Sequence, residues 1–218
     1  AFEANSVSLG TGAKVKTAGG TIDVKTDALS LPAGETGVLS SANGAVTIET
    51  RTAGKTMSVN APVASPAADI AMADLSFIDS GTGTVQIGNA QTGNIEIGTT
   101  AVKAPLAVIS RDTVKVTGAV TNTNNKDMAF TGSNVNFDAG SSLAAGSGKT
   151  KITADAVSLD GTFSGTGVFA VQKKTAGNFT VGGTSAFLSD AAIGKLAAGN
   201  FYNVAIGTKE NVGTATIA

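Results

Sequence analysis

Ser133-Asn134-Val135-Asn136-Phe137-Asp138 is followed, about 22 residues later, by Asp155-Ala156-Val157-Ser158-Leu159-Asp160. Each run alternates with period 2, apolar at Val135 and Phe137 and again at Val157 and Leu159, and each leads into a turn bearing glycine, Gly140 or Gly161. A unit this small cannot bury its apolar face alone. A chain that repeats it at a fixed interval gains a core by stacking the copies.

Working outward, the same run occurs upstream as Val7-Ser8-Leu9, Leu29-Ser30-Leu31 and Leu75-Ser76-Phe77. Two further apolar-x-apolar runs separate the anchors, for example Ala13-Lys14-Val15 and Ile22-Asp23-Val24 after Val7. Three short strands per interval is the simplest count. A second phrase marks a corner: Thr17-Ala18-Gly19-Gly20 before Ile22, Thr52-Ala53-Gly54-Lys55 before Met57, Gln91-Thr92-Gly93-Asn94 before Ile95, and Thr175-Ala176-Gly177-Asn178 before Phe179.

Val7, Leu29, Met57, Leu75, Ile95, Val114, Val135, Val157, Phe179 and Val204, taken as successive coil markers, give ten coils of about 22 residues. At the roughly 4.8 Å spacing of paired strands, ten coils make a rod about 48 Å long. Strands joined this way are parallel, each pairing with its counterpart in the next coil. The expected fold is all-β, a right-handed parallel β-helix.

Residues 1–218 read as one solenoid segment of a longer chain, with two interruptions. Ala61 to Asp74 carries Pro62 and Pro66 and little alternation, which predicts a loop bulging from a corner. Ser189 to Leu196 offers an N-capping serine, an acid in the first turn and Ile193 and Leu196 at i, i+3 spacing. That pattern predicts a single helical turn tucked against a coil.

Composition agrees with a long, narrow object. Glycine, at 28 of 218 residues, exceeds the usual share, while aromatics are 5% and charged residues 14%, against about 25% charged in ordinary domains. A core a few side chains across can be filled by Val, Ile, Leu and Ala. Formal net charge is -1 with acids and bases scattered singly, so no basic patch for nucleic acid is expected. No apolar run approaches the roughly 18 residues of a membrane helix, so no membrane insertion of this segment is expected. With no cysteine, disulfides and thiolate metal sites are excluded. The opening Ala1-Phe2-Glu3-Ala4 lacks the features of a signal peptide, as expected of a mature product or an excised piece.

Phe187-Leu188-Ser189-Asp190-Ala191-Ala192-Ile193-Gly194-Lys195-Leu196-Ala197-Ala198-Gly199-Asn200, followed by Val204-Ala205-Ile206-Gly207, resembles a phrase of the filamentous haemagglutinin-like exoproteins exported by two-partner secretion. Those repeats often carry Leu-Ser/Thr-Asp-Ala, two spaced apolar residues and Ala-Gly before a strand ending in Ile-Gly. Thr-Ala-Gly-Gly-Thr-Ile-Asp-Val at 17–24 has the same texture. The resemblance implies a β-helical shaft at the bacterial cell surface or outside the cell, serving adhesion, cell contact or matrix assembly. Its partners would be neighbouring copies, end to end or lateral, or a cell-surface glycan or protein. The family's secretion domain carries Asn-Pro-Asn-type motifs, which this sequence lacks, so the piece would be shaft. The matching phrase is a packing element, and no functional residue is carried over.

The rival class is a carbohydrate-active β-helix enzyme or tailspike-like glycan-binding domain. Without His or Cys, the commonest general base and the thiol nucleophile are missing, but glycoside hydrolysis needs only two carboxylates. Asp138 and Asp160 occupy equivalent places in neighbouring coils, where a close pair would raise one pKa or invite a cation. The plainer expectation is that both cap turns by accepting local backbone N–H groups. Arg51 and Arg111 each stand alone and read as solvated surface. The Gly-Gly pairs Gly19-Gly20 and Gly182-Gly183 are followed by Thr and lack the Asp of calcium-binding nonapeptides. Thr-x-Thr at Thr82/Thr84, Thr121/Thr123 and Thr214/Thr216 is too sporadic for an ice-binding face. Phenylalanines fall mostly at apolar strand positions, as core rather than as base-stacking platforms. No catalytic, cofactor-binding or metal-binding residue is assigned, no cofactor is expected, and the role expected is a non-enzymatic shaft or adhesin module.

Overall fold

A computed structural model describes residues 1–32, 34–61, 68–184, 186–207 and 215–217. Among them the chain winds as a parallel β-solenoid of about eight turns, with three strand positions per coil.

The first position forms one unbroken sheet of nine parallel strands. In stacking order these are β1 (Phe2–Ala4), β4 (Ile22–Thr26), β7 (Val46–Thr50), β11 (Val85–Ile87), β14 (Leu106–Ile109), β17 (Met128–Thr131), β20 (Thr150–Ala154), β23 (Val168–Lys173) and β25 (Asn203–Ile206). The second position holds β2 (Val7–Ser8) with β5 (Leu29–Ser30). Above them come β9 (Ile70–Met72), β8 (Met57–Val59), β12 (Ile95–Ile97), β15 (Thr113–Val116), β18 (Asn134–Phe137) and β21 (Ala156–Leu159), then β24 (Phe179–Val181) with β26 (Ala215–Ile217). The third position stacks β3 (Val15–Lys16), β6 (Leu39–Ser40) and β10 (Ile78–Asp79), and separately β13 (Thr100–Val102), β16 (Ala119–Asn122), β19 (Ser142–Ala144) and β22 (Thr162–Ser164).

Alternation in sequence becomes an inside and an outside. In β4, Ile22, Val24 and Thr26 are buried while Asp23 and Lys25 are part-exposed, and the same holds for Val46, Ile48 and Thr50 in β7. Register keeps the rule from coil to coil: Ile22 pairs with Val46, which pairs with Val85, which pairs with Leu106. Slipping one residue would turn every such side chain to water, so the pattern fixes the register. In the middle coils the repeat is regular, Leu106 pairing with Met128 and Met128 with Thr150, 22 residues at each step.

The core changes character along the axis. Toward the amino end it is mostly aliphatic, built from residues such as Ile48, Ile70, Ile87 and Ile95, with Phe77 as a buried ring. From Phe130 onward it carries a file of rings, Phe130, Phe137, Phe163, Phe169 and Phe201, with successive centroids 5.4, 5.1, 5.6 and 5.0 Å apart, mostly edge to face. Such pairs add about 0.5–1.5 kcal/mol beyond their buried area.

Several expectations need correction. The first sheet has nine strands rather than ten coils' worth, so the rod is about 38 Å long at the usual strand spacing. Val7 does stack on Leu29, and Met57, Ile95, Val114, Val135 and Val157 form one column. Three other markers do not join it: Val204 pairs with Phe169 in the first sheet, Phe179 with Ala215 in a separate pair, and Leu75 is a buried residue outside the strands. Alternating apolar residues identify a strand but not which side of the coil it occupies.

Of the stretch 61–74 expected as a loop, 62–67 lie outside the described residues, and the remainder contains β9. That strand turns back to pair with β8, Met57 opposite Ile70 and Val59 opposite Met72, and lies beside β5. It thus fills a slot in the second stack with two apolar side chains, Ile70 and Met72, both buried. The expected single helical turn is an eight-residue helix, α1 (Asp190–Ala197), with the Ser189 hydroxyl accepting from Ala192 N–H and Ala192 and Leu196 buried. It packs on β22 and β21, where the third position of the next coil would otherwise be.

Candidate functional site

The corner phrase shows how the coils are locked together. Thr52, Thr92 and Thr175 all stand between the first and second strand positions, whereas Thr17 precedes β4 and occupies a different corner. At the shared corner Asp27 accepts Arg51 N–H at 3.0 Å, Thr52 N–H at 2.7 Å and the Thr52 hydroxyl at 2.5 Å from the coil above. Asp155 does the same for Thr175, at 2.7 Å to N–H and 2.9 Å to the hydroxyl. Beneath this edge lies a buried polar contact, Thr50 to Thr92 at 2.9 Å. These are structural clamps, and each of their carboxylate oxygens already accepts at least one donor.

The candidate carboxylate pair does come together in neighbouring rungs, since Phe137 pairs with Leu159 immediately before Asp138 and Asp160. Their partners, however, are side chains rather than backbone N–H groups. Asp138 lies 3.0 Å from the Lys115 ammonium, which it holds above the usual lysine range by hydrogen bonding and charge, and Asp160 accepts the Ser158 hydroxyl at 2.6 Å. No group of three or more acidic side chains converges as a cation site among the described residues.

The two arginines read as isolated are paired. Arg51 donates to Asn5 at 2.8 Å and lies 3.7 Å from Glu3. Arg111 makes a two-pronged contact with Asp112 at 3.1 and 3.0 Å, which holds that carboxyl below its ordinary range. The threonine pairs do not share a face: Thr82 lies in the turn before β11, Thr121 on β16 and Thr216 on β26, while Thr214 lies outside the described residues.

A cleft of about 640 Å³ lies on the third side. It opens because the two strand stacks there do not meet. Among the described residues β10 is paired only to β6, and β13 only to β16, so each presents a strand edge to the gap. Lys14 and Lys16 reach it from the lower stack and Lys103 from the end of β13, with Asp79 as the lining carboxylate and Ser76 and Asn124 as further polar groups. All three lysines are exposed, and none makes an ion pair or side-chain hydrogen bond among the described residues. The sequence shows these cations as scattered singles, and folding gathers them. The Lys14-x-Lys16 spacing at the start of β3 was the available signal; Lys103 is remote in sequence and gave none.

No protein-family model, no characterised protein and no solved structure matches the chain.

Proposed function

We propose that this chain is a structural shaft or adhesin module of a bacterial secreted or cell-surface filamentous protein, acting outside the cell in adhesion, cell contact or extracellular assembly. The observation that carries the reading is the unbroken nine-strand first sheet over a largely apolar interior. Every strand of that sheet is hydrogen-bonded to its neighbours through the backbone, and the inward positions are filled mostly by packed apolar groups, with buried Thr26, Thr50 and Thr150 among them, so the object holds a fixed length. The Phe187–Asn200 phrase supports the same reading, since it supplies α1 and leads into β25, a packing role like that of the family it resembles.

The glycan-binding alternative has one observation in its favour, the lysine-lined cleft. Two measurements separate the readings. Dyes placed at Ser8→Cys and Ser164→Cys, in a chain that has no other cysteine, are expected to give one narrow distance distribution, as a stiff spacer requires. Coated beads are expected to adhere to cells or to one another while polysaccharide panels yield no reducing ends. A broad distance distribution overturns the shaft, and catalytic sugar release overturns the non-enzymatic role.

A further inference from the structure

We infer that the cleft between β10 and β13 is a binding site for an acidic oligosaccharide of two or three rings. The site does not depend on the shaft reading, because it is argued from its own chemistry. Its volume falls in the range of roughly 300–1,000 Å³ typical of small-ligand sites. The titratable lining is three ammonium groups against the single carboxylate of Asp79, in a protein whose net charge is -1. A local excess of cations on a nearly neutral surface attracts an anion and holds it by charge-assisted hydrogen bonds.

The anion is only part of the fit. Two strand edges, each paired among the described residues on its far side only, border the gap and present backbone polar groups, although the Ile78 N–H of β10 is already donated to Leu75 O at 3.1 Å. Asp79 and Ser76 add polar groups from the β10 side, and Asn124, whose amide already donates to Lys103 O at 3.0 Å, lines the cleft from the coil beyond β13. A ligand that satisfies this mixture must carry many hydroxyl groups beside its negative charge. An inorganic anion would leave the edges unmatched, and a neutral sugar would leave the lysines unmatched. Carboxylate and sulfate both supply the required charge.

A matched series tests the site on the intact protein: sialyl-lactose, lactose sulfate and lactose, titrated calorimetrically with an oligo-aspartate peptide and sodium sulfate alongside. Sialyl-lactose or lactose sulfate, whichever anion is preferred, is expected to bind about tenfold or more tightly than lactose and to weaken with added salt. Lys16→Ala and Lys103→Ala are each expected to reduce that affinity about tenfold while thermal unfolding stays unchanged, and Lys151→Ala, on the first sheet, is expected to leave it intact. Equal binding of lactose, binding of the peptide or sulfate alone, indifference to both lysine variants, or no binding at all overturns the inference. None of these outcomes alters the dye-distance test of the shaft.

Discussion

Asp27 clamps Thr52 in the coil above it, taking the backbone N–H at 2.7 Å and the hydroxyl at 2.5 Å. Partial burial pushes the carboxyl upward, but the hydrogen bonds from Thr52 and Arg51 outweigh it and hold the group below the ordinary aspartate value. A depressed folded-state pKa contributes stability that is fully present above the unfolded value and lost as pH falls through the folded one. Asp27→Ala is therefore expected to cost about 1 kcal/mol near neutral pH, as loss of a side-chain cap on a backbone N–H does. Urea unfolding across an acid series checks it: the gap between parent and variant should hold steady above the ordinary aspartate range, about pH 4, and narrow as pH falls below it.

Between the third and first strand positions the coils approach too closely for side chains. A Cβ on Gly44 would lie 2.3 Å from Gly20 O, and one on Gly83 would lie 2.0 Å from Gly44 O. Gly44→Ala is expected to destabilise by about 2 kcal/mol or more, since backbone on both sides must move. Gly194 lies within α1 with nothing near its Cβ position. Gly194→Ala is expected to stabilise by about 0.5–1 kcal/mol through helix propensity. Thermal melts of the two variants should shift in opposite directions.

Phe137 touches two rings of the aromatic file and is fully buried. Phe137→Ala is expected to cost about 3–5 kcal/mol, and Phe137→Leu less, because leucine refills part of the cavity. In a solenoid each coil answers mainly to its neighbours. Hydrogen exchange should therefore quicken in β17, β18 and β21 and stay near the parental rate in β4 and β7.

Leu196, 1% exposed, anchors α1 to the coil beneath. Leu196→Ala is expected to cost about 2–5 kcal/mol locally. Limited proteolysis checks it, with new cleavage expected beyond Val181 before any cut within the middle coils.

The repeat was legible because Val135 and Val157 sit in coils whose turns have nearly equal length, so spacing in sequence equals stacking in space. Where turn lengths change, the correspondence fails. Val46 pairs with Val85 across a coil lengthened by β9, and Leu75-Ser76-Phe77 imitates the anchor run while lying off the strands. The Thr-Ala-Gly phrase was visible, yet the acids it receives come from the coil below, a distance no local pattern spans. The lysine cleft was hidden for a related reason: it is produced by two stacks failing to meet, and a mismatch between neighbours leaves no motif in either.

The joins between strand stacks fall at different heights in the amino-terminal half. The second side changes stack between β5 and β9, the third between β10 and β13, and the first never does. Like staggered courses of brick, no cross-section there cuts two seams at once, so a crack opening on one wall runs into sound masonry on the others. Toward the carboxyl end the arrangement lapses: β21 gives way to β24 at the same level at which β22 gives way to α1. Peeling should start at that doubled seam, where among the described residues the first sheet carries the strand ladder across and the third side adds the Gly165 N–H to Gly199 O bond at 2.9 Å.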